Sequence, residues 1–215
     1  MNTKSMTILQ NNMMLKIRKP ESDSNGDVWF LIHGWTGDEN SMDPFWQYIP
    51  DQHWIVAPRS LLEAQPSGYG WADIKPIPYP NYEKFLPAVK KLHKEMLQFM
   101  KDNQLNDKKI NLFGFSQGAA ASYMLTEMLQ NQVDKIIITA GFMPDGTLPY
   151  LQSIKNKTMH FIVYHGAKDN LVPQTIADDC VNELQNSGFS THYCIDENAG
   201  HKLGASCIQH LKSIA

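Results

Sequence analysis

The chain has 215 residues, of which 42% are hydrophobic and 19% are charged, and its formal net charge is −3. A chain of this length favours one domain over two and can bury a core that needs neither a disulfide nor a metal ion. The 19 Lys and Arg residues are scattered, and a pI near 6.2 gives no reason to expect a nucleic acid as partner.

The first elements of the chain are two short apolar stretches, residues 6–9 and 13–15, separated by Gln10-Asn11-Asn12. They predict two strands around an Asn-rich turn rather than a secretory signal peptide. No apolar run approaches the roughly 20 residues of a membrane span, so we expect no stable membrane insertion. These features favour a cytoplasmic enzyme.

Further along the chain, short apolar runs alternate with helical patterns. The runs are apolar on both faces, as are strands of a parallel sheet that helices cover on both sides. We predict strands at residues 28–32, 54–57, 110–113, 135–139, 159–164 and 191–195, and helices at about 119–130, 173–188 and 205–214. One apolar stripe, formed by Phe85, Val89, Leu92, Met96 and Phe99, indicates a further helix. The alternation predicts one α/β domain, residues 1–215, with a mainly parallel sheet.

Residues 59–81 form the one long irregular stretch of the sequence. It contains four prolines, at positions 66, 76, 78 and 80, together with Tyr69 and Trp71. Long loops in compact domains are usually functional or disordered, and the aromatic residues favour an ordered loop. We therefore expect this stretch to form one wall of a substrate cleft, and a packed surface loop is the alternative for any one residue in it.

The pentapeptide Gly114-Phe115-Ser116-Gln117-Gly118 has the G-x-S-x-G pattern of a nucleophile elbow. It lies between a predicted strand and a predicted helix, which is the context that this turn requires. Gly114 and Gly118 allow close approach of neighbouring backbone, and the turn holds the Ser116 hydroxyl clear of the sheet. A plain turn could carry the same pattern, but its flanking elements favour a nucleophilic serine.

A serine hydroxyl needs a base to take its proton and a carboxylate to orient that base. In α/β-hydrolases the acid and then the histidine follow the serine in the chain. Asp169 is the preferred acid because it follows a late strand, and Asp145, after an earlier strand, is its rival. His201 is the preferred base because it lies between the last strand and the last helix. We expect His165 to orient the loop that carries Asp169. His33 lies too early in the chain to be the base.

The negative charge that develops on the reacting oxygen needs preorganised backbone donors. The amide of Gln117 is one candidate because it directly follows the nucleophile. The amide of Trp35 is the other, in the loop His33-Gly34-Trp35-Thr36-Gly37-Asp38 after the first buried strand.

The sequence predicts no metal and no cofactor. No two of the eight histidines have the i, i+4 spacing of a zinc-protease helix. Cys180, Cys194 and Cys207 lack the close spacing of a zinc or redox motif, so we expect buried thiols, and the spacing leaves open whether any two of them pair.

Four motifs together resemble the phospholipase/carboxylesterase family of α/β-hydrolases, which includes acyl-protein thioesterases and small carboxylesterases. They are the loop at 33–38, the elbow at 114–118, His165-Gly166-x-x-Asp169-x-x-Val172-Pro173, and Gly200-His201. The resemblance spans the chain from about Val28 onward and implies an α/β-hydrolase fold without a large lid. It also implies catalytic roles for Ser116, Asp169 and His201, with oxyanion amides from Trp35 and Gln117.

The oxyanion loop departs from the family, because Trp35-Thr36 stands where acyl-protein thioesterases carry smaller residues. A bulky indole at this place would narrow the acyl channel, which favours short to medium acyl chains. The side chains expected to line the substrate cleft are Trp35, Trp71, Phe142, Met143 and Leu171. Each of these side chains is also compatible with plain packing.

The sequence therefore predicts a Ser-His-Asp hydrolase that cleaves small-molecule carboxylic esters through an acyl-enzyme. A thioesterase acting on acyl-proteins or small acyl thioesters would use the same residues and is the first alternative. An acyltransferase is a further one. A non-catalytic binding protein on the same scaffold is the alternative of another class. The oligomeric state is open.

Overall fold

An eight-stranded sheet forms the centre of the protein in a computed structural model, which describes residues 5–21, 26–75 and 79–214. The strands, in chain order, are β1 (Ser5–Gln10), β2 (Met13–Arg18), β3 (Val28–Ile32), β4 (Trp54–Pro58), β5 (Leu62–Glu63), β6 (Tyr69–Gly70), β7 (Ile110–Phe115), β8 (Val133–Thr139), β9 (His160–Gly166) and β10 (Ser190–Asp196). The large sheet has the order β1-β2-β4-β3-β7-β8-β9-β10, and β5 pairs with β6 in a separate hairpin.

Six neighbouring strands of the large sheet, from β4 across to β10, run parallel, and β1 and β2 add an antiparallel edge. Every residue of β3 is buried, as its continuous apolar run predicts. Because parallel strands share one direction, β3, β7, β9 and β10 end at the same edge of the sheet. The predicted catalytic and oxyanion residues follow these four strands, so the topology collects them at that edge.

Helices cover both faces of the sheet. In the described part of the chain they are α1 (Asp43–Trp46), α2 (Tyr82–Asp102), α3 (Gln117–Leu129), α4 (Leu148–Ser153), α5 (Gln174–Asn186) and α6 (Ala205–Ile214), with a 3-10 turn at Gln130–Gln132. The larger apolar core lies between the sheet and α2, α3 and α5, and a smaller core on the other face lies against α1 and α6. This layered arrangement confirms the predicted α/β fold with a mainly parallel sheet.

The apolar stripe predicted for a helix is buried along α2, as its 3.6-residue period requires. The α2 helix begins after Asn81, whose side chain accepts a hydrogen bond from the Lys84 amide and so caps the helix. None of the helices in the described ranges is long and apolar enough to cross a membrane.

The structure adds elements that the sequence patterns do not predict. The short helices α1 and α4 have four and six residues, which is too few for a clear apolar period. The long stretch at 59–81 contains the β5–β6 hairpin, and Pro76 and Pro78 of this stretch lie outside the described residues. The strand before the elbow extends to Phe115 and α3 begins at Gln117, so a single residue separates them.

Candidate active site

Ser116 is the one residue between the end of β7 and the start of α3, and its backbone has φ 54° and ψ −116°. A positive φ is rare for a residue with a side chain. Such a strained turn between a strand and a helix is typical of a nucleophile elbow, where it exposes the serine hydroxyl. The two flanking glycines allow this turn. A Cβ on Gly114 would collide with the Gly118 carbonyl oxygen, and a Cβ on Gly118 would collide with that of Ile32.

The structure brings Ser116, His201 and Asp169 into one hydrogen-bonded chain. The Oγ atom of Ser116 lies 3.0 Å from Nε2 of His201. On the other side of the ring, Nδ1 of His201 lies 2.7 Å from Oδ2 of Asp169. Both distances lie within the reach expected for a nucleophile, its base and the carboxylate that orients the base.

The loop after β9 fixes the orientation of Asp169, which is buried. Its Oδ1 accepts hydrogen bonds from the amides of Leu171 and Val172, both at 2.9 Å, which leaves Oδ2 for His201. His165 supports this loop, because its Nε2 donates to the Val172 carbonyl at 2.8 Å and lies 3.7 Å from Asp169 Oδ2. The loop therefore holds the carboxylate from its own backbone, in agreement with the expected role of His165.

The rival acid Asp145 takes no part in this chain. Its side chain is exposed, and its carbonyl accepts a hydrogen bond from the Tyr82 amide at the start of α2. The described contacts of His201 include Asp169 and not Asp145.

Asp196, at the end of β10, holds the loop that carries His201. Its Oδ1 accepts from the Asn198 amide at 2.9 Å, and its Oδ2 accepts from the Ser206 amide and hydroxyl at 3.1 and 2.9 Å. These hydrogen bonds, with the Ser206 amide first, lower the pKa of Asp196. The carboxylate thus ties the start of the loop to the first turn of α6. The loop that carries Asp169 also contacts the loop that carries His201 directly, because the Lys168 amide donates a hydrogen bond to the Ala199 carbonyl at 2.9 Å.

The glycine-rich loop after β3 lies directly beside Ser116. A Cβ placed on Gly34 would be 3.2 Å from the Ser116 Cβ and 3.2 Å from the Phe115 ring. Trp35 follows at once in the chain, and Gln117 follows Ser116. The two amides expected to bind an oxyanion therefore belong to segments that flank the Ser116 hydroxyl on two sides.

His33 anchors this loop from beneath and is fully enclosed. Its Nδ1 lies 2.7 Å from the Gly34 carbonyl, which can only accept, so Nδ1 carries the proton. Its Nε2 accepts a hydrogen bond from the Ser60 amide at 3.2 Å. Burial, ahead of all other causes, lowers the pKa of His33 to about 4, so the ring is neutral at pH 7.

The Gln117 side chain binds the backbone of the long loop at 59–81, a contact that the sequence does not predict. Its Oε1 accepts from the Trp71 amide at 2.8 Å, and its Nε2 donates to the Ala72 carbonyl at 2.7 Å. The Trp71 indole in turn donates to the His33 carbonyl at 2.8 Å. The elbow, the oxyanion loop and the long loop at 59–81 are therefore joined by buried hydrogen bonds. Nothing in the local pattern at Gln117 indicates this contact, because its partners lie about 45 residues away in the chain.

The structure gives different surroundings to the five residues expected to line the cleft. Trp35 is half-buried with its indole packed over Gly70, where a Cβ would collide with the ring. Trp71 is 1% exposed and packs against His33, which supports the packing alternative for this residue. Phe142 is also buried, whereas Met143 is half-buried and Leu171 is 66% exposed.

Trp35 stands between two cavities. The base-side cavity, of about 380 Å³, borders the segments that carry Ser116 and His201, and its wall includes Gly34, Trp35, Phe45, Phe115, Lys202 and Leu203. The hairpin-side cavity, of about 170 Å³, lies on the β5 side, and its wall includes Trp35, Leu62, Glu63, Gln65, Asp73 and Lys75. A further apolar cavity of about 560 Å³ lies between the β5 segment and α2. The side chains of Ser116, Asp169 and His201 line none of these three cavities.

The described cysteines are all free thiols, and the Sγ atoms of Cys194 and Cys207 lie 3.0 Å apart. Within residues 5–21, 26–75 and 79–214, no group of three or more His, Cys, Asp or Glu side chains is arranged to hold a metal ion.

Comparisons with known proteins agree with this architecture. Over 108 residues the chain is 27% identical to acyl-protein thioesterase 1 homolog 2 of Dictyostelium discoideum, and the match spans 49% of this chain and 48% of that protein, about half its length. The solved carboxylesterase from Mesorhizobium loti superposes with a TM-score of 0.80 at 17% identity over 97% of each chain. The Bacillus cereus carboxylesterase gives a TM-score of 0.79 at 16% identity over 95% of this chain and 93% of that one. At such identities the two structures show a shared fold.

The family itself is shown by sequence. A family model described as Phospholipase/Carboxylesterase matches residues 15–214, which is nearly the whole chain and includes every residue of the candidate site. The chain belongs to the phospholipase/carboxylesterase family.

Proposed function

We propose that the protein hydrolyses small-molecule carboxylic esters through an acyl-enzyme formed on Ser116. The observation that carries the proposal is the chain from Ser116 Oγ to His201 Nε2 and from His201 Nδ1 to Asp169 Oδ2, at 3.0 and 2.7 Å. Membership of the phospholipase/carboxylesterase family supports the same chemistry.

The proposed reaction begins when His201 Nε2 takes the Ser116 proton and Oγ attacks the ester carbonyl. Asp169 accepts from Nδ1–H of His201, which fixes the tautomer and stabilises the imidazolium as it forms. The amides of Trp35 and Gln117 then stabilise the oxyanion. His201 gives its proton to the departing alcohol, and a water molecule, activated by the same ring, releases the acid from Ser116.

Trp35 is the proposed limit on acyl-chain length. Its indole fills the space above Gly70 and lies between the base-side cavity, which borders the segments of Ser116 and His201, and the hairpin-side cavity. Because Trp35 follows Gly34, which lies against Ser116, an acyl chain that extends from Ser116 along the oxyanion loop would meet this ring. We expect activity on short and medium acyl groups and a sharp loss well before palmitoyl length.

Thioester hydrolysis is the second candidate function, and the similarity to an acyl-protein thioesterase homologue favours it. The same three side chains would cleave a thioester, and only the fit of the leaving group distinguishes the two activities.

A matched panel tests both candidates. The p-nitrophenyl esters from acetyl to palmitoyl, and acyl thioesters with the same acyl groups, are assayed with the wild type and with Ser116→Ala. The proposal predicts hydrolysis by the wild type and none above background by the variant. Equal rates from the two proteins, or no hydrolysis of any substrate, would contradict it.

A further inference from the structure

The base-side cavity adjoins the residue that protonates the leaving group. Lys202 and Leu203, which line it, directly follow His201 in the chain, and the ring of Phe115, also in its wall, lies 5.2 Å from the His201 ring. Gly34, which also lines the cavity, approaches Ser116 closely. The cavity is therefore lined by the chain neighbours of Ser116 and His201 and lies next to both residues.

The chemistry of ester cleavage indicates which of the two cavities beside Trp35 receives the alcohol portion of the substrate and which receives the acyl portion. The departing alcohol has to receive its proton from His201 Nε2, so the alcohol portion of an ester has to lie on the side of the His201 loop. Of the two cavities that Trp35 separates, only the base-side cavity is lined by residues of that loop. The acyl portion then lies toward the hairpin-side cavity. This assignment rests on the proposed function.

The two cavities differ in charge. Lys202 is the one charged residue among the described residues that line the base-side cavity, which is otherwise apolar or neutral. The hairpin-side cavity is lined by Glu63, Asp73 and Lys75. An anionic group is therefore favoured in the first cavity and not in the second.

The Lys202 side chain is exposed, and within the described ranges no carboxylate forms an ion pair with it. Asp38, on the oxyanion loop, accepts hydrogen bonds from Asn40 and Ser41 instead and does not line the cavity. A long lysine stem can lie along an apolar wall while its ammonium stays at the water boundary. Lys202 is thus placed to meet a charged substituent at the mouth of the cavity.

We propose that Lys202 is a specificity-determining residue, and that the preferred substrates are esters whose alcohol portion combines a small apolar body with an anionic group. The apolar body fills the base-side cavity, whose volume of about 380 Å³ lies within the range of small-molecule sites. The anion, a carboxylate or a phosphate, pairs with the Lys202 ammonium.

Matched substrates test the proposal. 3-Acetoxybenzoate and 3-acetoxybenzamide share the acyl group and the shape of the alcohol portion but differ in charge, and 3-acetoxyphenyl phosphate distinguishes phosphate from carboxylate. kcat/KM is measured for each with the wild type, Lys202→Met and Lys168→Met. Lys168 is a suitable control because it is also exposed and lies on the loop that carries Asp169, with its ammonium on Asn198 Oδ1.

For each anionic ester, kcat/KM is divided by kcat/KM for the amide. We expect this ratio to be about two- to fivefold higher in the wild type than in Lys202→Met, the upper range of a solvent-exposed ion pair. The ratio should stay unchanged in Lys168→Met and should shrink with added salt. The anion with the larger effect identifies the preferred group. Unchanged ratios for both anions in Lys202→Met overturn the proposal. If none of the three esters is hydrolysed by the wild type, the failure lies with the proposed function instead.

Discussion

Two histidines at the same edge of the sheet, His33 and His201, have opposite surroundings. His33 is 1% exposed, and its two ring nitrogens are used by the backbone of Gly34 and Ser60. His201 is half-buried, with a carboxylate on one nitrogen and a hydroxyl on the other. The first ring joins two loops and stays neutral, whereas the second faces groups that can exchange a proton with it. The chemical role of a histidine is therefore set by what its two nitrogens face.

The contrast between His33 and His201 is tested most strongly by changing Asp169, the carboxylate that binds His201. Asp169→Asn should lower kcat by roughly 10³ to 10⁴-fold, because the amide no longer holds the imidazole in the required tautomer. The ester assay measures the change, with circular dichroism to show that the fold is kept. Asp145→Asn is the control and should have little effect. A large loss in the control and a small one in Asp169→Asn would reassign the acid.

The Gln117 side chain holds the backbone of Trp71, whose indole binds the His33 carbonyl, and removing this contact should lower stability. Gln117→Met keeps the shape of the side chain but leaves the Trp71 amide and the Ala72 carbonyl without their buried partner. Each orphaned group costs about 1–3 kcal/mol, so with two such groups the free energy of unfolding should fall by roughly 2–6 kcal/mol. Urea denaturation measures it. An unchanged free energy of unfolding would mean that this tether contributes nothing to stability.

The loop that His33 anchors also carries Trp35, which gives a prediction on selectivity. Each methylene that an apolar pocket accepts adds about 0.8 kcal/mol, so activity should rise with chain length until the indole is met. Trp35→Ala should move the optimum to longer acyl groups and keep the backbone donor. Trp54→Ala, at the far end of β4, is the control and should leave the profile unchanged. A wild type that prefers long chains, or an unchanged profile in Trp35→Ala, contradicts this account of selectivity.

The smallest predicted effect is the pH dependence of stability that His33 contributes. Because its folded pKa of about 4 is below the unfolded value near 6.5, the unfolded state binds more protons between these values. The contribution is complete above the unfolded pKa and is lost as the pH falls toward the folded one, by about 1 kcal/mol between pH 7.5 and 5.5. An NMR titration of the ring tests the cause directly. A His33 pKa at or above 6.5 would contradict the enclosed environment.

The elements that position the site could be predicted from the sequence, because their signals are local. The apolar runs of β3 and β7, the glycines of the elbow and the loops after β9 and β10 each show their pattern within about ten residues. The position of its loop after a late strand then favoured Asp169 over Asp145 as the carboxylate beside His201, and the structure places Asp169 there.

The remaining features depend on contacts between distant segments. The position of His33 early in the chain excludes it as the base but does not reveal its two backbone partners. In the same way, Trp71 donates from its amide to Gln117 and from its indole to the His33 carbonyl, and neither partner is near it in sequence. A local pattern cannot distinguish such a tryptophan from one that faces a substrate, as Trp35 is proposed to do.

The central claim is that Ser116 is the nucleophile, and covalent labelling tests it most directly. A fluorophosphonate probe is incubated with the wild type and with Ser116→Ala, and the modified residue is identified by peptide mass spectrometry. The account predicts one adduct, on Ser116, in the wild type and none in the variant. An adduct on another residue, or no adduct on the folded wild type, would contradict it.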